Sequence, residues 1–104
     1  MKKAFLTTLI FISTPILAGT ALQDLDITIT QNQCLERSKK AMIEMGAKEL
    51  EILELDNVLS ASPGKYHYFV VCRADKGLAV VAEQGTQYTN RKSFVEHAVN
   101  ALRN

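Results

Sequence analysis

Tryptophan is absent from this chain, and proline, cysteine and glycine are sparse: two, two and five residues among 104. Each shortage excludes something. Five scattered glycines give no glycine-rich run of the kind whose backbone cradles phosphates. Seven aromatic side chains without a Trp offer no base-stacking platform. Two cysteines are too few for a metal site built from cysteine alone, and they permit one disulfide. A basic excess is missing as well. Twelve Lys and Arg stand against eleven Asp and Glu, a formal net charge of +1, which removes the simple electrostatic case for nucleic-acid binding. The chain is 47% hydrophobic and 22% charged, ordinary values for one globular domain, so disordered, collagen-like and low-complexity classes drop out. There is no internal repeat and no linker long enough to divide it.

One long apolar run is present, and it lies at the start. Met1-Lys2-Lys3 is a short basic segment, and Ala4 to Ala18 reads AFLTTLIFISTPILA. As a helix those fifteen residues span about 22 Å, short of the roughly 30 Å hydrocarbon core of a bilayer. Pro15 interrupts the helix near its end. Ala18 supplies a small residue at −1 and Ile16 a tolerated one at −3, with Gly19-Thr20-Ala21 as the second cleavage choice. The pattern predicts a cleaved secretory signal peptide over residues 1–18, with an uncleaved anchor as the alternative. No cysteine follows the cut, so a lipoprotein is excluded. The expected product is a single domain of 86 residues, 19–104, periplasmic or secreted and without a membrane anchor. It loses Lys2 and Lys3, which leaves ten basic against eleven acidic residues. A domain this small buries only about 60–65% of its unfolded surface, and an oxidising compartment allows a disulfide to compensate.

Within the domain, Asp24 to Thr30 alternates strictly, placing Leu25, Ile27 and Ile29 on one face of a strand. Thr30 opens a T-x-x-Q capping box with Gln33. Cys34, Leu35, Ser38, Ala41, Met42 and Met45 then recur at helical spacing, and Gly46 is a natural stop. Residues 47–62 alternate as Leu50/Ile52 and then shift phase to Leu53/Leu55. That pattern fits a strand with a bulge in preference to a short helix. Ser60 to Gly64 is a loop. Tyr66 to Arg73 and Leu78 to Glu83 form a hairpin across Ala74-Asp75-Lys76-Gly77, with Gly77 where positive φ is wanted. After a polar loop over 85–90, Phe94, Val95, Ala98, Ala101 and Leu102 line a final helix opened by Thr89 or Asn90. The order β-α-β-β-β-α predicts an α+β domain, a mainly antiparallel sheet with both helices on one face.

Cys34, Ala41 and Gly46 on a helix, then Gly64-x-Tyr66, then V-V-C-R-A-D-K-G-L-A-V-V-A over Val70 to Ala82, resemble a recurring kind of small exported bacterial two-cysteine protein. The resemblance implies export, a disulfide and the fold, and no activity.

The residues that could carry chemistry divide as follows. Cys34 lies on the apolar face of the first helix, and Cys72 shares strand parity with Tyr66, Tyr68 and Val70. If that face packs on the helix, both sulfurs enter one layer and form a disulfide. A redox-active pair more often takes the form C-x-x-C at an exposed helix N-terminus, which this sequence lacks. Cys34, His67, Cys72 and His97 show none of the short paired spacings of zinc sites, and His67 has the opposite parity to Cys72, so no metal or other cofactor is expected. No serine sits in a nucleophile frame, and the acidic residues between Glu49 and Asp56 read as a solvated face, so an enzyme is not expected. His67, Phe69, Val71 and Arg73 share the outward face of the first hairpin strand. That face is either covered by the loop and chain ends or is a contact surface for a protein partner. The leading functional expectation is a non-enzymatic interaction protein. The alternatives are a small-molecule or ion binder in a groove beside the hairpin, lined by Tyr66, His67 and Tyr68, and an enzyme of unknown class.

Overall fold

The alternating segment at the start of the domain forms strand β1, Thr20–Asp26, in a computed structural model that describes residues 19–85 and 93–103. The expected signal segment, most of the 85–90 loop, and Thr89 and Asn90 lie outside the described residues. Strand β1 begins four residues earlier than the alternation alone indicates and ends at Asp26, but the parity holds. Leu25 and Ile27 are buried and Ile29 packs half-buried against the core.

Helix α1, Gln31–Glu44, starts where the capping box places it. The Thr30 hydroxyl accepts from the Gln33 N–H at 3.1 Å, and the Thr30 N–H donates to Gln33 Oε1 at 3.0 Å. Two of the orphan donors at the helix start are thereby satisfied. Cys34, Ser38, Ala41 and Met42 are its buried residues. Gly46 ends it at φ +106, and the Ala47 N–H returns to the Met42 carbonyl at 2.9 Å.

Residues 47–62 contain more turns than one bulged strand. Glu49–Glu51 forms a single 3₁₀ turn, followed by β2, Leu53–Leu55, and β3, Val58–Ala61. Asp56 and Asn57 make the two-residue connection, with Asp56 at φ +54. Aspartate tolerates that left-handed conformation better than most residues. The phase shift at Ile52/Leu53 therefore marks the exit from the 3₁₀ turn into a hairpin, and the sheet gains a fifth strand.

Strands β4, His67–Arg73, and β5, Leu78–Gln84, form the expected hairpin, joined by a 3₁₀ turn at Ala74–Lys76 with Gly77 at φ +65. Gln31 clamps this turn to the start of α1. Its Nε2 donates to the Cys72 carbonyl at 2.9 Å, and its Oε1 accepts from the Ala74 N–H at 2.9 Å. Helix α2, Phe94–Arg103, closes the described chain. The Ser93 hydroxyl caps its first turn, accepting from the Glu96 N–H at 3.1 Å.

The sheet order is β1-β5-β4-β3-β2, antiparallel throughout. Both helices lie on one face. Cys34 of α1 is bonded to Cys72 of β4, and the Phe94 ring of α2 stacks on Tyr68 of β4 at 4.2 Å and 9°. Tyr68 also donates its hydroxyl to the Met45 carbonyl at 2.7 Å. The core is thus the layer between the helices and the inward residues of three central strands, among them Leu59, Tyr68, Val70, Cys72, Ala79 and Val81.

Candidate functional site

Directly opposed residues in an antiparallel ladder point to the same face, so the register defines what the sheet presents away from its helices. Leu22, Ala82, Phe69, Ser60 and Leu53 form one row across all five strands. Asp24, Val80, Val71, Val58 and Leu55 form the next. Beyond one end lie Thr20, Gln84 and His67, and beyond the other Asp26, Leu78 and Arg73, polar except for Leu78. Leu22 is 67% exposed, Leu53 68%, Leu55 73% and Phe69 41%. Sheets covered on one side only usually carry polar residues on the other. Among the described residues, no element packs over these rows.

The expected surface residues fall on this face as the parity predicts. His67 and Phe69 are exposed, and Val71 and Arg73 half-buried. The face is wider than the hairpin indicates, because β1 contributes Leu22 and the β2–β3 hairpin contributes Leu53, Leu55 and Val58. Those contributions follow from strand order, which no local pattern reveals.

Arg73 and Asp75 close one end of the face with a two-point pair, Nε to Oδ1 and Nη2 to Oδ2, each at 3.1 Å. The hydrogen bond from Arg73 holds the Asp75 carboxyl below its ordinary value, and the same bond raises the guanidinium above its own.

Tyr66, His67 and Tyr68 do not line a common groove. Tyr68 is sealed in the core by Phe94 and Met45, whereas His67 points to the opposite face, as alternation within one strand requires. His67 Nδ1 instead meets the Ser62 hydroxyl at 2.8 Å, and both side chains are exposed. A serine nucleophile needs its base oriented by a third group. No described residue bonds the other ring nitrogen of His67. The pair ties the 62–66 loop to β4. An open groove of about 740 Å³ does exist, but elsewhere, between β1 and α2, with Gln23, Val95, Glu96, Val99 and Arg103 in its walls.

Cys34 and Cys72 are joined, fully buried, with sulfurs 2.04 Å apart. Disulfides persist in oxidising compartments, so this bond points away from the cytoplasm. No described helix is long and apolar enough to cross a membrane. His97, on the flank of α2, bonds Glu44 of α1 at 2.7 Å and links the two helices. Among the described residues no group of three or more His, Cys, Asp or Glu is placed to hold a metal ion.

One residue carries more than its sequence context indicates. Glu83 is 1% exposed on the inward parity of β5, and its Oε1 accepts from the Phe94 N–H at 2.9 Å. A carboxylate at a helix N-terminus meets both an orphan donor and the positive end of the helix dipole. Glu83 thus positions α2 on the sheet and leaves the outer rows to face solvent. Comparison of the chain with protein-family models, curated proteins and solved structures gives no match.

Proposed function

We propose that this is an exported, non-enzymatic interaction protein that binds a protein surface with the outer face of its sheet. The observation that carries the reading is the pair of largely apolar rows through Phe69 and Val71, which cross five strands and are interrupted only at Ser60 and Asp24. An apolar centre with a polar rim is the anatomy of protein interfaces. Contiguous exposed apolar area of this kind is rare on a monomer without a purpose. Export is supported by the leader-like pattern of residues 1–18 and by the buried disulfide. Intact-mass analysis of extracytoplasmic protein is expected to give a species beginning at Gly19 or Leu22.

The face is tested by placing a photo-crosslinking residue at Val71 or, on the helix side, at Lys40. The Val71 position is expected to give a discrete protein adduct that Phe69→Glu abolishes, and the Lys40 position none. Equal or absent labelling from the two sides removes the reading.

A further inference from the structure

We infer that the occupant of the outer sheet face is a second copy of this chain, packed about a twofold axis that runs along β4. The inference rests on the reading of this face as a contact surface and commits it to one partner.

The register supplies the first argument. Strand β4 is the middle strand of five, and both apolar rows cross it, one at Phe69 and one at Val71. A twofold axis along β4 reverses the strand order of the facing copy and keeps each row at its own level. Phe69 then faces Phe69 of the second copy, and Val71 faces Val71. Leu22 of β1 faces Leu53 of β2, and Val80 of β5 faces Val58 of β3. The two leucines left most open in the Phe69 row, 67% and 68% exposed at opposite sheet edges, cover each other. A twofold axis across the strands would instead set Leu22 against Asp24 and Leu53 against Leu55, so the two edge leucines of the Phe69 row would no longer cover each other; under either axis Asp24 meets a leucine at the sheet edge.

The second argument is charge. The charged groups of this face are Asp24, at the edge-strand end of the Val71 row, and Asp26 and Arg73 beyond the rows, and Arg73 is already paired with Asp75. Nothing at the centre selects a charged partner, and an apolar centre of this shape matches its own copy.

The third is area. The five strands hold 28 residues. At a rise of about 3.3 Å and a spacing of about 4.8 Å they lay out about 450 Å² of sheet per copy, before side-chain relief is added. Two copies thus bury about 900 Å² or more, the size of a weak, reversible interface and below that of an obligate dimer. Two sheets meeting in this way form a sandwich about 10 Å deep, and they give a small domain the second buried layer that its size denies it.

Sedimentation velocity and light scattering on the disulfide-bonded protein, expressed from its full-length sequence, test the inference across the micromolar range. A monomer–dimer equilibrium is expected, and Phe69→Glu is expected to weaken it by about tenfold or more. Leu22→Lys and Leu53→Glu change exposed positions that folding tolerates. Each is expected to weaken association alone, and the double variant to recover it, because the introduced lysine and glutamate then face each other. A double variant no tighter than the singles overturns the twofold arrangement. A protein monomeric throughout, with the Val71 crosslinker still capturing a different protein, overturns self-association and leaves the interaction reading standing. Monomer with no adduct removes both.

Discussion

The carboxylate of Glu83 accepts the N–H of Phe94 at 2.9 Å in a setting that excludes water. This contact joins the end of the central hairpin to the start of α2, eleven positions further along the chain. Removing the acceptor leaves a buried donor without its partner, which is more costly than never having made the bond. Glu83→Ala is expected to destabilise the fold by about 2–4 kcal/mol, from the lost bond and the cavity together. Glu83→Gln keeps the volume and an oxygen that can accept from Phe94, exchanges the other carboxyl oxygen for an NH2 group, and is expected to cost less, about 1 kcal/mol. Chemical denaturation of the two variants reads the difference. Equal losses would show that charge, and not the acceptor, holds α2 in place.

The Cys34–Cys72 bond closes a loop with a sequence separation of 38 and pins α1 to β4. The chain-entropy model values a loop of this length at about 4 kcal/mol, an upper figure. Single Cys34→Ser or Cys72→Ser variants are therefore expected to melt well below wild type. The double variant should be no worse than the worse single, since both remove one shared interaction. Reducing agent is expected to lower the wild-type melting temperature and leave the double variant where it is. Two free thiols in the folded, air-purified protein would contradict the pairing.

The disulfide was legible because both cysteines sit in strongly periodic segments: Cys34 on a helix with a clear apolar stripe, Cys72 in an alternating strand. Parity also placed Tyr68 inward, and the structure obeys parity over the idea that its ring lines a groove. Residues 47–62 were harder because Leu50, Ile52, Leu53 and Leu55 fit no single period. The Asp56–Asn57 turn lies between two short apolar pairs, and strands of three and four residues carry little pattern of their own. Glu83 shows inward parity in the sequence. Its partner appears only once the chain has reversed and brought Phe94 alongside. For the same reason the outer face could be read along β4 but not across the sheet. Leu22 and Leu53 join one row only through a strand order that pairs β1 with β5.

Arg73 and Asp75 allow a site-specific pH test. The hydrogen bond from Arg73 lowers the Asp75 carboxyl from its ordinary value. A carboxyl depressed in the folded state contributes stability above its unfolded value, near 3.9, and loses that contribution as pH falls through the folded value. Both groups are solvent-exposed, so the expected signature is local. Carbon-detected NMR should show the Asp75 carboxyl titrating below its ordinary value, and Arg73→Ala should return it toward that value. An Asp75 titration unmoved by that substitution would remove the pair from solution.

Two glycines in the left-handed half of backbone space are predicted to differ in their tolerance of a methyl group. Gly77 has φ +65, and a Cβ added there meets nothing closer than the Ile27 carbonyl oxygen at 3.6 Å. That is ordinary contact, so Gly77→Ala incurs only the left-handed backbone cost, about 1 kcal/mol. Gly85 has φ +104, and its Cβ would lie 2.7 Å from the Lys65 carbonyl oxygen and 2.9 Å from Cδ1 of Tyr66. The backbone cannot give way easily, because the Gly85 N–H is bonded to the Gly19 carbonyl at 2.8 Å, one step beyond the last pair of the β1–β5 ladder. Strain and overlap together are expected to cost about 2–4 kcal/mol. Gly85→Ala should therefore melt roughly 4–8 °C lower for every kcal/mol by which it exceeds Gly77→Ala. Hydrogen exchange should locate the damage where β1 and β5 meet the 62–66 loop. If the two alanine variants melt together, the close approach of Gly85 to Lys65 and Tyr66 does not constrain this end of the sheet.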